Sequence, residues 1–150
     1  MLKGIGIILG VLAIAASLIV AGCGGSSSES LTKAEYVRKG NAICGKWQQG
    51  RTELFEEFAA EFEKNGTEPT DADKEKALVK LMQPYEEATS KLAELDPPDG
   101  EEAKVNAMVA AMEKAASQVK ANPQSVISSS VPFIKPNKLA EAYGLKECRV

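Results

Sequence analysis

Residues 31–66, LTKAEYVRKGNAICGKWQQGRTELFEEFAAEFEKNG, decide the fold of this 150-residue chain. The stretch opens on Thr32-Lys33-Ala34-Glu35, which reads as a capping box. In that motif the threonine hydroxyl accepts from the glutamate N–H while the glutamate carboxylate accepts from the threonine N–H. Leu31 and Tyr36 stand at the spacing of a hydrophobic staple around it. Apolar side chains then recur at helical spacing, at Val37, Ile43, Cys44, Trp47, Leu54, Phe55, Phe58 and Phe62. Such a period belongs to a helix with one buried face, and Asn65-Gly66 supplies its stop. A helix from Lys33 to Lys64 would run ~48 Å. Gly40, Gly45 and Gly50 each cost it about 1 kcal/mol relative to alanine, which predicts a bend or local irregularity. Gly40 lies on the apolar face, where a missing side chain predicts close approach by another segment.

The rest of the chain repeats this grammar. Thr70 or Asp71 can cap a second helix, whose stripe of Leu78, Leu81, Tyr85, Ala88, Leu92 and Leu95 alternates spacings of three and four. That seam suits antiparallel packing, and Pro84 within it predicts a kink or a split. Asp96-Pro97-Pro98-Asp99-Gly100 is a sharp break, after which Asp99 and Glu102 read as another capping box. Val105, Met108, Val109, Met112, Ala116 and Val119 define a third helix ending near Asn122-Pro123. Between Gln124 and Pro136, three consecutive serines and two prolines fit a short helix followed by a turn. A last short helix is expected from about Asn137 to Tyr143-Gly144, where glycine suits a left-handed cap. No strand-like alternation survives in this part. The expected fold is all-α, a bundle of three long helices plus a short C-terminal one, over residues 32–150.

Upstream, Lys3 precedes an 18-residue apolar run from Gly4 to Ala21, followed by Cys23 and a Gly/Ser spacer. A short charged start, an apolar core and small residues are the parts of a secretory signal. Val20-Ala21-Gly22-Cys23 resembles the lipobox of bacterial lipoproteins. The resemblance implies a diacylglyceryl group on the Cys23 thiol, cleavage between Gly22 and Cys23, and acylation, for example by palmitate, of the new amine. Two or three acyl chains, at ~0.8 kcal/mol per buried methylene, anchor stably where one chain binds only marginally. Residues 1–22 are then a signal peptide, and residues 23–31 a lipidated cysteine with its linker. Seven spacer residues have a reach of roughly 15 Å. An uncleaved membrane anchor and ordinary secretory cleavage are the alternatives. Neither accounts for a lone cysteine between Val-Ala-Gly and Gly-Gly-Ser. With no twin arginine ahead of the core, export as an unfolded chain by the general route is expected.

Composition narrows the function classes. Setting aside Lys3, the 18 basic residues become 17 against 21 acidic ones, a balance of −4. Such a balance argues against nucleic acid as a partner and against electrostatic binding to anionic headgroups. The chain has no histidine, which removes the commonest metal ligand and the commonest general base. With Cys23 taken by lipidation, Cys44 and Cys148 remain as an even pair in an exported, oxidising setting. A structural disulfide is expected; a redox-active pair is the alternative, without a Cys-x-x-Cys to support it.

The domain also resembles a group of small actinobacterial lipoproteins that lack an assigned activity. The residues that carry this are Ala42-Ile43-Cys44, Leu95-Asp96-Pro97-Pro98-Asp99, Asn137-Lys138-Leu139-Ala140, and Tyr143-Gly144-Leu145-Lys146-Glu147-Cys148. The resemblance spans nearly all of Leu31 to Cys148. It implies that Cys44 pairs with Cys148 and that the chain sits on the outer face of the cell membrane. It supplies no catalytic residues.

Other residues offer weaker signals. Glu53, Glu56, Glu57, Glu61 and Glu63 crowd the second half of the first helix, as a cation or basic-partner patch or as a solvated face. Trp47, one turn from Cys44, is expected to pack over the disulfide rather than serve as a ligand platform. Met108 and Met112 suit either an adaptable groove or ordinary core. Ser128, Ser129 and Ser130 have no histidine or Ser-x-x-Lys partner to make a nucleophile. Lys135, Lys138, Lys146 and Arg149 make the end of the chain mildly basic. The expectation is therefore a non-enzymatic, lipid-anchored binding or structural module of the cell envelope. It needs no cofactor or metal, contacts the membrane through its anchor, and acts on an unidentified envelope protein. The alternative is a small-ligand or lipid-binding lipoprotein with a cavity lined by Met108, Met112, Tyr85 and phenylalanines.

Overall fold

The computed structural model describes residues 30–150. The expected signal peptide, the expected lipidation at Cys23 and nearly all of the expected spacer lie outside the described residues. The described part is all-α, with no strand. Helix α1 runs Lys33–Asn65, α2 Asp71–Ala93, α3 Glu102–Ala121, α4 Gln124–Ile127 and α5 Val131–Tyr143, and a 3-10 turn follows at Lys146–Cys148.

The ends of α1 are fixed by local chemistry. The Thr32–Glu35 capping box is formed, with Glu35 Oε2 accepting from Thr32 N at 3.0 Å. At the other end Gly66 takes a left-handed conformation, and Thr67 N–H reaches back to Phe62 O at 3.1 Å, the double closure of a Schellman motif. Thr70, paired with Asp73, caps α2 in the same way as Thr32 caps α1. Gly144 ends α5 with φ 102°, and Leu145 N–H bonds to Ala140 O at 2.8 Å.

One alternative left open at a boundary is decided and two expectations are corrected. Pro84 does not split α2, which is continuous from Asp71 to Ala93. The carbonyl it leaves without a donor belongs to Lys80, an exposed residue, where water can replace the missing N–H. Asp99 and Glu102 form no capping box. Glu101 is instead the N-cap of α3, without a side-chain cap bond, and the Glu102 carboxylate accepts from Gly100 N–H at 3.2 Å. A tight turn through Gly100, φ 76°, delays the start of α3. Finally, α5 begins at Val131, six residues before the expected Asn137. Pro132 sits in its first turn, where no N–H is needed. Pro136 falls one turn later, where its only omitted partner is the Pro132 carbonyl. The C-terminal helix is thus a full member of the bundle.

Successive helices run antiparallel: α1 against α2, α2 against α3 and α3 against α5. What closes the bundle onto α1 is the C-terminal tail, residues 145–150. Leu145 is fully buried, and a Cβ placed on Gly40 would stand 2.6 Å from its Cδ2 and 3.1 Å from Leu92 Cδ2. Gly40 therefore marks a close approach, as its place on the apolar face predicted. Cys44 and Cys148 form a disulfide, and both are buried. Polar side chains of α1 dress the joint: Asn41 donates to Gly144 O at 3.1 Å and accepts from Glu147 N–H at 3.0 Å. Gln48 donates to the carbonyls of Glu147 and Arg149.

The glycines of α1 yield a contrast that can be measured. Gly45 and Gly50 have open space where a Cβ would lie, so Gly45→Ala and Gly50→Ala should each stabilise the domain by about 0.5–1 kcal/mol. At Gly40 the same helix gain meets buried Leu145 and Leu92, and overpacking costs about 1–3 kcal/mol. Gly40→Ala should therefore be destabilising by up to about 2 kcal/mol. Urea unfolding of the three variants checks this ordering.

Candidate functional site

The tail covers only the first half of α1. Its last contacts on that helix are made by Gln48, and the buried residues of α1 stop at Trp47. Beyond that point α2 is the neighbour of α1, so the apolar stripe continues with one side uncovered. A groove results between the second half of α1 and the first half of α2. Leu54, Phe55, Phe58 and Phe62 supply one wall, and Ala77 and Leu81 the other. Phe55 is 48% exposed, while the Phe58 and Phe62 rings pack on each other with centroids 4.9 Å apart.

The rim is charged and mixed. Glu57, Glu61 and Asp73 border the groove with Lys76 and Lys80. Lys80 reaches Glu57 at 3.8 Å with both side chains exposed, a pair worth little on its own. Glu53, Glu56 and Glu63 are exposed as well, so the five glutamates form a solvated acidic face beside an apolar slot. The stripe Phe55, Phe58, Phe62 held the signal for this groove. What the stripe alone does not reveal is that the covering tail ends at the level of Gln48.

The other candidates are distributed elsewhere. Cys44 and Cys148 are brought together as a disulfide; Cys23 lies outside the described residues. Trp47 is core, packed edge-to-face on Tyr85 with centroids 5.2 Å apart, and Arg51 lies over its ring at 5.1 Å. Trp47 lies in the same buried cluster as Cys44 and Cys148, with Tyr85 as its aromatic partner. Met108, Met112 and Tyr85 are about 1% exposed members of the central core. Phe133 joins them there, edge-on to Tyr85 at 5.7 Å. Ser128 donates to Gln124 O and Ser129 accepts from Val131 N–H, so both serve the α4–α5 connection. Among the described residues no group of three His, Cys, Asp or Glu is placed to hold a metal ion, and no helix is long and apolar enough to cross a membrane.

A charged cluster at the far end of the bundle was not anticipated. Glu101 pairs with Lys104 at 2.6 Å and with Lys33 at 3.2 Å, and Lys33 lies 4.8 Å over the Tyr143 ring. The cluster joins the starts of α1 and α3 to the end of α5. Lys104, then Lys33 and the Tyr143 phenol, hold the Glu101 carboxyl down at about 2, outweighing desolvation. Burial, followed by the neighbouring carboxylate, pushes the Tyr143 phenol up.

A carboxyl depressed on folding contributes stability that is present above its unfolded value near 4.5 and is lost as pH falls toward about 2. Glu101→Gln should consequently lose less stability than wild type between pH 5 and pH 2. Urea midpoints across that range supply the measurement; parallel curves for the two proteins would remove Glu101 from the acid response.

No protein-family model matches the chain, and no curated protein or solved structure shows significant similarity to it.

Proposed function

We propose that this chain is a lipid-tethered helical module of the bacterial cell envelope, held at the outer face of the membrane through Cys23, whose work is binding rather than catalysis. The groove between α1 and α2 is the observation that carries the binding part of this reading. An apolar slot with an aromatic wall and an acidic flank fits an amphipathic, basic segment of an envelope protein, laid along the groove in the manner of helix-in-groove recognition. The lipobox-like Val20-Ala21-Gly22-Cys23 supports the tether, and a buried Cys44–Cys148 disulfide suits an oxidising, exported setting. A photo-crosslinking residue at Phe55, whose side chain is already half exposed, tests the binding face in living cells. The expected result is a reproducible protein adduct that weakens in a Phe58→Ala background; absence of any reproducible adduct counts against the reading. Radiolabelled fatty acid incorporated into wild type and not into Cys23→Ser tests the tether.

The small-ligand alternative keeps one supporting observation, the partly exposed Phe58–Phe62 pair. Native mass spectrometry separates the two, since retained lipid or metabolite favours the ligand and a clean apo mass favours the protein partner.

A further inference from the structure

α4 and the first turns of α5 expose aliphatic side chains. Val131 is 65% exposed, Ile134 59% and Ile127 36%. Val131 and Ile134 are one turn apart on α5 and so share a face. Lys135 and Lys138 follow each of them at the spacing of four that keeps the same face. Lys114 of α3 lies across a shallow trough from Val131 and Lys135, and that trough is floored by Ala107, Ala110 and Pro132.

Charge is segregated here as well. From Lys114 through Ala140 the sequence holds four lysines and no aspartate or glutamate. Lys120 is committed to Glu86 at 3.1 Å. Lys114, Lys135 and Lys138 make no ion pair among the described residues. The acidic balance of the chain conceals a local basic face.

We propose that this face, Val131 and Ile134 ringed by Lys114, Lys135 and Lys138, rests on the anionic headgroups of the membrane that carries the tether. Protruding aliphatic side chains with lysines at their edge partition into the headgroup region of a bilayer, the apolar parts inserting and the ammonium groups pairing with lipid phosphate. A flat lipid surface requires no matching pocket. Geometry permits the contact. The start of α1 lies beside the end of α5, with Tyr36 and Tyr143 ring centroids 5.7 Å apart, and α5 is about 20 Å long. The spacer's reach of roughly 15 Å lets the tether and the basic face meet the same bilayer with α5 lying along it. The groove between α1 and α2 is then left free for its protein partner. This inference rests on the tethered reading of the chain.

The test uses the full chain, isolated from membranes and reconstituted into vesicles of phosphatidylcholine with or without phosphatidylglycerol. A polarity-sensitive fluorophore is attached at Ile134→Cys or, as control, at Glu56→Cys, with unsubstituted chain as the labelling blank. The expected result is a blue shift and quenching by brominated lipid at position 134 only, present with phosphatidylglycerol and lost in the Lys135→Glu/Lys138→Glu background. A label at 134 that stays aqueous while the chain still floats with vesicles overturns this inference and leaves the tether standing. An equal response in pure phosphatidylcholine also overturns it, as does a shift that follows protein concentration and so reports a second copy. A chain that does not float overturns both the inference and the tether.

Discussion

Replacing Cys44 and Cys148 together by serine should destabilise the domain by about 2–5 kcal/mol and lower its melting temperature by roughly 8–20 °C. The bond joins residues 104 apart in sequence, and for a loop of that size the chain-entropy account gives about 4.7 kcal/mol. Location adds to length. The disulfide ties the last turn of the chain to the first half of α1, and that tail is what closes the bundle on this side. Releasing it exposes Leu145, empties the notch at Gly40 and frees the Asn41 and Gln48 bonds. The double serine variant is the right comparison, because a single substitution leaves a buried thiol able to pair elsewhere. Hydrogen exchange should show the loss as a drop in protection across residues 40–48 and 140–148, with α2 and α3 losing least. A change below about 1 kcal/mol would mean that the tail docks by packing alone.

How far the sequence foretells this molecule depends on whether the information is local. The caps at Thr32 and Thr70, the stop at Gly66 and the left-handed Gly144 are settled within five residues, and each is formed as its sequence implies. The stripe of α2 is equally legible, since Leu81, Tyr85, Ala88 and Leu92 are all buried. Gly40 was readable because a side chain missing from an apolar face leaves room that a neighbouring segment fills. The start of α5 was not. Proline reads as a helix breaker unless one knows that Pro132 occupies a first turn, and that is decided by the packing of α5 on α3. The Glu101 cluster also escaped, because Lys33, Glu101 and Tyr143 come from three distant segments. The groove was half visible. Three phenylalanines at helical spacing promise burial, and only the length of the covering tail decides that they are left partly bare. The basic face was hidden by averaging, since one net charge for the whole chain says nothing about its distribution.

Leu145→Ala should cost about 2–5 kcal/mol by itself. Leu145 has no exposure, and its Cδ atoms fill the notch at Gly40, so truncation leaves a void between α1 and the tail. Gly40 has no side chain to collapse into it, and Leu92, itself fully buried, is held where the Tyr36 hydroxyl donates to its carbonyl at 3.1 Å. Such rigid surroundings place the expected loss toward the upper half of that range. The more informative quantity is its coupling to the disulfide. If the Cys44–Cys148 bond holds the tail in place, Leu145 contributes its full burial only while that bond is intact. Combining Leu145→Ala with the double serine variant should then cost less than the sum of the separate losses, by about 1–2 kcal/mol. Denaturant unfolding of the four proteins in the cycle provides the number. Strict additivity would mean that the tail remains docked without its covalent link, so that closure of the bundle resides in the Leu145 plug and the Asn41 and Gln48 bonds. The disulfide would then act on the unfolded chain alone, and the groove beyond Gln48 would keep its shape in the reduced protein.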